Sequence, residues 1–372
     1  MPVYIHQRPG WPTFIWNTER ISPLLLSVRH RQGKLLGRME SLGFILQDES
    51  TLKNLTLEIV KSSEIEGEIL DAEQVRSSIA RKLGMDIAGL VPTDRYTEGL
   101  VEMMLDATQH YNQQLTNERL FGWQAALFPT GRSGLQKIVV GNWRDNEKDN
   151  PMQVVSGGMG KEKVHFEAPG AERLDVEMKL FLEWFNKETT VDVVLKAAIA
   201  HFWFVTIHPF DDGNGRIART ITDVQLSRAD KTSQRFYSMS AQIRKERKEY
   251  YDILEKTQKG DLDITDWIIW FLNCMNRSLD VTDETLGATL QKARFWELQA
   301  NTILNERQKL MLHKMLDGFD GKLNSSKWSK ITKTSQDSAL RDIQDLVNKK
   351  ILQKETAGGR STSYILLITE RS

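Results

Sequence analysis

Residues 208–219 read His208-Pro209-Phe210-Asp211-Asp212-Gly213-Asn214-Gly215-Arg216-Ile217-Ala218-Arg219, and no other stretch of the chain is so dense in reactive side chains. Glycines on both sides of a small polar residue let successive backbone N–H groups turn toward one point, and a helix starting there adds its positive end to the same anion site. Phosphate is the natural occupant. Arg216 and Arg219, three apart, share a face of that helix and can clamp further phosphate oxygens, while Asp212 is placed to hold a magnesium ion. His208 is the side chain suited to accept a proton near neutral pH. A dinucleotide fingerprint competes, because Gly213, Gly215 and Ala218 fit its spacing and residues 202–207 could form the strand before it. The alanine-rich lead-in at 195–201 and the helical pattern afterwards favour helix-loop-helix.

A mostly helical frame must position these groups. Apolar residues recur at helical spacing from about 22 to 113, punctuated at Gly84 and Pro92, and from about 117 the pattern stays helical to near Leu279. One hairpin is expected around 152–166, where Val154-Val155 and Val164-His165-Phe166 flank Gly157, Gly158 and Gly160. After a segment at 280–290 the pattern changes: a helix at 306–316, a short Lys322-Leu323, a helix near 326–331, another at 335–349, then β-rich pieces at 351–354 and 363–367 split by Ala357-Gly358-Gly359-Arg360. That order resembles a winged helix. Residues 305–372 hold 13 Lys/Arg against 8 Asp/Glu, with Arg360 at the wing tip and Lys327, Lys330 and Lys333 ahead of the third helix, a distribution that suits DNA phosphates. Asp337, Asp342 and Asp345 on that third helix point instead to a protein-docking or dimerising module.

A chain of 372 residues suggests two or three domains, each able to bury a core. With 50 Lys/Arg and 50 Asp/Glu, no whole-chain field draws it to nucleic acid or lipid. The single cysteine, Cys274, forbids an intrachain disulfide, fits a reducing compartment and suits buried packing. The amino terminus lacks a cationic start followed by an apolar stretch, and nowhere do eighteen apolar residues run together. A cytoplasmic protein without a membrane span is expected.

The stretch 208–219 matches position for position the signature of the Fic family, His-Pro-Phe-x-Asp-Gly-Asn-Gly-Arg-x-x-Arg. The resemblance implies transfer of AMP from ATP to a protein Ser, Thr or Tyr hydroxyl. His208 would be the base, Asp212 the Mg²⁺ ligand, and Gly213, Asn214, Gly215, Arg216, Ile217, Ala218 and Arg219 the triphosphate cradle. Ser62-Ser63-Glu64-Ile65-Glu66-Gly67 resembles the family's inhibitory motif, filled by Ser62, Glu66 and Gly67, with Glu66 reaching Arg219 in place of the ATP γ-phosphate; Ser63-x-x-Glu66 also reads as a capping box at a helix start. By the same resemblance the hairpin would be the flap that presents the target, with Val154, Val155, Ser156 and Gly157 lining the nucleotide, although an ordinary fold-stabilising hairpin fits too. Tyr250 and Gln258 would contact the nucleoside, against a core-packing alternative for Tyr250 and Tyr251.

The expected fold is therefore mainly α: an amino-terminal helical region with the inhibitory helix (1–114), a Fic-type helical core with a β-hairpin flap (115–285) and a carboxy-terminal winged-helix domain (290–372). ATP and Mg²⁺ are the implied cofactors. Protein substrates with exposed hydroxyls are the implied partners, with room left for self-modification, a homodimer and DNA on the winged helix. Removal of AMP by hydrolysis, or transfer of another nucleotidyl or phosphate group, is the alternative within the enzyme class. A winged-helix DNA-binding regulator is the alternative outside it.

Overall fold

A computed structural model describes residues 4–40, 44–85, 89–147, 149–157, 163–299, 301–316, 319, 321–355 and 362–367. It divides into two units, residues 1–282 and 283–372.

The first unit opens with five helices, α1 (Thr18–Glu40), α2 (Phe44–Ile65), α3 (Ala72–Lys82), α4 (Arg95–Gln109) and α5 (Asn117–Leu127). Polar residues mark the starts of the last three: Asp71 accepts from the Glu73 N–H at 2.8 Å, Asp94 from the Thr97 N–H at 2.8 Å and Thr116 from the Arg119 N–H at 3.2 Å. Each satisfies a donor that the first helical turn leaves without an acceptor. Two antiparallel pairs follow, β1 (Arg132–Ser133) with β2 (Gln136–Lys137), and β3 (Gln153–Ser156) with β4 (Lys163–Glu167). The second pair is the hairpin expected at 152–166; Gly158 and Gly160 lie outside the described residues. The first pair was not expected, because two polar dipeptides turned at Gly134 (φ +56°) are too short to show alternation.

The centre is built by α6 (Leu174–Asn186), α7 (Val193–Ile207) and α8 (Asn214–Asp230). Every residue of α7 from Val194 to Ile207 is buried, as an all-round apolar helix must be. That overturns the strand alternative at 202–207; among the described residues every strand pair is antiparallel, so no βαβ unit frames the glycines. The helices α9 (Met239–Lys245), α10 (Arg247–Gln258) and the first part of α11 (Thr265–Leu298), up to Thr282, complete the unit. Helix α11 continues beyond Leu279, where the apolar spacing fades: Thr282, Thr285 and Gly287 lower helix propensity, yet no proline stops the helix. Cys274 is buried and free.

Along its length α2 is anchored from behind. Glu58, 3% exposed, accepts from the Ser238 hydroxyl at 2.6 Å and the Ser240 N–H at 3.1 Å, which ties α2 to the start of α9. Nearby, buried Arg235 pairs with Asp223 at 2.9 Å and Asp230 at 3.0 Å, and burial together with the Glu58 charge pushes the Asp223 carboxyl well above the usual range.

The second unit contains α12 (Glu306–Leu316), α13 (Ser325–Thr332), α14 (Gln336–Asn348) and the antiparallel pair β5 (Leu352–Lys354) and β6 (Tyr364–Leu366), with Leu323 bridging to Tyr364. Met311, Leu312, Trp328, Ile343, Leu346 and Ile351 form its own core. Arg360 lies outside the described residues. Asp342 is turned inward, accepting from Arg307 Nε at 2.7 Å and Asn305 Nδ2 at 2.8 Å, and Asp345 accepts from Gln308 at 2.8 Å. The exposed strip of α14 carries Asp337, Leu340, Arg341, Gln344 and Asn348. No helix among the described residues is long and apolar enough to cross a membrane.

Candidate active site

Helix α7 stops because His208 takes a left-handed conformation (φ +53°), its N–H still bonded to the Phe204 carbonyl at 3.0 Å. That conformation is uncommon for a residue with a side chain and is held from outside. Arg144, 2% exposed, donates from Nε to the His208 carbonyl at 2.8 Å and from its backbone N–H to the Pro209 carbonyl at 3.0 Å. Phe210 is fully buried against Trp143. The Asn214 side chain closes the loop, accepting from the Phe210 N–H at 3.0 Å and donating to the Phe210 carbonyl at 2.7 Å. Its role is therefore to shape the turn, and only its backbone can serve a ligand. Gly213 (φ +89°) precedes the first residue of α8 as its cap, and a Cβ there would lie 3.0 Å from Leu127.

The Nδ1 atom of His208 lies 3.2 Å from the Val205 carbonyl. A carbonyl can only accept, so Nδ1 carries the hydrogen and Nε2 keeps a lone pair. Burial, with the Arg144 charge acting in the same direction, pulls the imidazole down to about 4, against the Val205 carbonyl and the Glu66 and Asp212 carboxylates. At neutral pH the ring is an unprotonated acceptor. Asp212 is 42% exposed; it takes the Ser133 hydroxyl on one oxygen and the Gly213 N–H on the other. A single half-exposed carboxylate suits Mg²⁺, which keeps waters and phosphate oxygens for its remaining positions. Among the described residues no group of three or more His, Cys, Asp or Glu could hold a metal unaided.

Both arginines are buried, Arg216 at 1% and Arg219 at 2% exposure. Arg219 donates to the Ser62 hydroxyl at 2.8 Å, the Ser62 carbonyl at 3.0 Å and Glu66 Oε1 at 2.7 Å. Arg216 donates to Glu68 Oε2 at 2.8 Å and to the Tyr96 hydroxyl. Arg216 Nε and Arg219 Nη1 are buried donors with no acceptor among the described residues. Glu66 follows the last residue of α2, and Gly67 (φ +89°) turns the chain after it. The capping-box alternative fails for that reason: Ser63 and Glu66 end a helix whose apolar positions run up to them. The Glu66 carboxylate sits over the first turn of α8, where a Cβ on Gly215 would collide with it.

The other expected residues are placed unevenly. Ile217 and Ala218 are fully buried, and the Ile217 N–H is already donated to the Gly213 carbonyl at 3.0 Å, so the structure does not turn these two residues toward a ligand. On the hairpin Val154 is half-buried, whereas Val155, Ser156 and Gly157 are exposed. Ser156 bonds His165, and His165 bonds Glu255 of α10. Tyr250 is not a nucleoside contact in this arrangement: it is 2% exposed, its hydroxyl lies 2.8 Å from His201 Nε2, and its ring packs on Trp270. The neighbouring Tyr251 faces the site, with its hydroxyl 3.4 Å from Glu66 Oε2. Gln258, 6% exposed, lies 3.3 Å from the Thr206 hydroxyl. Sequence reasoning missed Arg144, Ser133, Glu68 and Tyr96, and no local spacing singles them out.

The Fic/DOC family pattern matches residues 114–226, which span the whole junction from His208 to Arg219. Residues 114–226 are a Fic/DOC domain. A second pattern, described as a domain of unknown function (DUF4172), matches residues 4–85 and so contains Ser62, Glu66 and Glu68. The chain is 31% identical over 229 residues to protein adenylyltransferase Fic of Culex quinquefasciatus, covering 60% of this chain and 40% of that protein. With protein adenylyltransferase Fic of Drosophila melanogaster it shares 26% over 282 residues, 71% of this chain and 51% of that one. It thus spans about two fifths to half the length of these curated relatives. A Fic family protein from Desulfovibrio desulfuricans G20 superimposes with a TM-score of 0.50 at 18% identity, covering 98% of this chain and 100% of its own. A singly substituted fragment of Fic-1 from C. elegans gives 0.50 at 20% identity over 74% of this chain and 76% of its own. These two structures share the Fic fold with the mainly helical chain described above.

Proposed function

We propose that the chain is an adenylyltransferase that moves AMP from ATP to a hydroxyl side chain of a protein, itself included, and that Glu66 holds it in check. One observation carries this reading: two buried arginines keep donors without acceptors beside a glycine-opened helix start on which a carboxylate already sits. A site that draws a carboxylate into that position is built for an anion, and a polyphosphate supplies enough oxygens for every donor.

In the reaction His208 Nε2 accepts the proton of the target hydroxyl while its oxygen bonds to the α-phosphorus. The bond from that phosphorus to the bridging oxygen breaks, and pyrophosphate leaves. Arg216, Arg219 and the first N–H groups of α8 neutralise the polyphosphate, and catalysis is positioning plus charge stabilisation. Asp212 would hold Mg²⁺, which when bound offsets phosphate charge. The exposed edge at 154–157 offers main-chain hydrogen bonds to an extended target segment, setting its hydroxyl beside His208 without demanding a particular neighbour sequence. The test is transfer of label from α-labelled ATP by the Glu66→Gly protein, with and without His208→Ala. The histidine variant is expected to bind ATP normally and transfer nothing; transfer retained would remove His208 from the reaction.

For residues 283–372 we infer a winged helix, supported by the order α12, α13, α14, β5, β6 and the Leu323–Tyr364 bridge. Asp342 faces inward on Arg307, which leaves Arg341, Gln344 and Asn348, with Asp337 and Leu340, on the exposed strip of α14. The first three residue types can read base edges, and this favours duplex DNA as a second partner. Salt-sensitive binding of the full chain to a mixed-sequence duplex, weakened by Arg341→Ala, tests it; binding indifferent to both refutes it.

A further inference from the structure

The structure assigns a second inhibitory carboxylate, Glu68, which occupies the first arginine of the motif as Glu66 occupies the second; this rests on the transferase reading above and extends it to a new residue. Glu66 and Glu68 flank Gly67, whose positive φ turns the chain so that two carboxylates two residues apart address two arginines three residues apart. The Glu68 N–H is fixed to the Ser63 carbonyl at 3.0 Å, and Arg247 Nε donates to the Ile65 carbonyl at 2.6 Å, which holds the turn in place. Glu68 Oε2 lies 2.8 Å from Arg216 Nη1, and the Tyr96 hydroxyl joins the pair, accepting from Arg216 and donating to Glu68. Burial keeps the Tyr96 phenol above its ordinary range, so it remains a neutral donor.

Two features make Glu68 an occupant of the site and not its scaffold. Arg216 is already carried by fixed groups, its guanidinium 5.2 Å above the Phe128 ring and its Nη1 on Tyr96 of α4. The Glu68 side chain is 41% exposed, and it reaches Arg216 from the same turn that delivers Glu66. Phosphate oxygens and the Glu68 carboxylate compete for the same N–H groups, so the polyphosphate must displace both acids to use both arginines. The body of α2 stays anchored through Glu58, so release of inhibition is a rearrangement of the turn at 66–68 and needs no withdrawal of the helix. Both acids fall within the segment matched by the domain of unknown function, which gives that segment a mechanical task.

Full-length wild type, Glu66→Gly, Glu68→Gln and the double variant should be titrated with ATP by calorimetry and incubated with α-labelled ATP. Glu68→Gln is expected to tighten ATP binding about three- to tenfold alone, and again in the Glu66→Gly background. Glu68→Ala should act in the same direction, and it carries the test should the glutamine protein fail to fold. Affinity unchanged or weakened by Glu68→Gln in the Glu66→Gly background would overturn the assignment. Calorimetry reads the contact without any transfer. Proteins that bind ATP in the expected order yet transfer no label would sink the transferase reading alone, while labelling by Glu66→Gly that is indifferent to Glu68 would sink only Glu68.

Discussion

Replacing Glu66 by glycine removes one charge-assisted hydrogen bond, 2.7 Å long, to an arginine that is 2% exposed. Hydrogen bonds to charged groups contribute about 1.5–3 kcal/mol, and the 31% exposure of the Glu66 side chain places this one in the lower half of that range through solvent screening. On the proposed reading, ATP displaces that contact in the wild type before its phosphates reach Arg219. Removing it should therefore tighten ATP binding by about 1.5–2 kcal/mol, roughly 10- to 30-fold. The freed guanidinium is not stranded, because the Ser62 hydroxyl at 2.8 Å and the Ser62 carbonyl at 3.0 Å still accept from it. The variant should accordingly fold normally and melt within a few degrees of wild type. Isothermal titration with ATP and incorporation of α-label are the readouts. An affinity within twofold of wild type would mean that Glu66 does not compete with the nucleotide. A melting temperature lower by about ten degrees would mean that it supports the fold instead.

Three further outcomes follow from the same geometry. Gly215→Ala in the Glu66→Gly background puts a methyl group where the Glu66 carboxylate rests, and should abolish measurable ATP binding in the titration; unchanged affinity would place the phosphates elsewhere. Asn214→Ala strips both hydrogen bonds from the Phe210 backbone at a residue 2% exposed, and should lower stability in urea by about 2–4 kcal/mol; a loss under about 0.5 kcal/mol would mean that the loop holds itself. Burial lowers His201 to about 3 and His208 to about 4, so between those values and about 6.5 the unfolded chain binds more protons than the folded one. These histidines therefore contribute stability that is present above pH 6.5 and lost as pH falls, at about 1.4 kcal/mol per pH unit for each group. His201→Gln should flatten the fall in urea midpoint between pH 6.5 and 4.5 by one group's share, and an unchanged slope would contradict its burial as the neutral ring.

The His208–Arg219 junction was legible because its geometry is local: one loop and one helical turn set the spacing of imidazole, carboxylate and arginines. Glu66 was legible only through its resemblance to an inhibitory motif, since its own neighbours suggested a helix start where the chain ends α2. Arg144, Tyr96 and Glu68 reach the junction from 64, 120 and 148 residues away, and no periodicity marks a contact of that kind. Tyr250 and Tyr251 show the same limit at short range. Adjacent positions lie about 100° apart around a helix, and which one is buried was decided by Trp267 and Trp270 on another helix. The inward turn of Asp342 has the same cause, a partner on α12.

What the motif alone could not convey is that an anion site is indiscriminate. Buried guanidiniums beside a helix start stabilise any oxyanion, and a carboxylate carried on the same chain is present at high effective concentration, whereas ATP must arrive from solution. Inhibition then needs no dedicated domain, only acids delivered at the right spacing. On the proposed reading the turn Glu66-Gly67-Glu68 does this with three residues, and the glycine supplies the positive φ that lets Glu66 meet Arg219 and Glu68 meet Arg216. On this reasoning Gly67→Ala, which strains that turn, should loosen both contacts at once and raise ATP affinity without removing either carboxylate. A calorimetric titration showing wild-type affinity for Gly67→Ala would mean that the two acids reach the arginines independently of the turn.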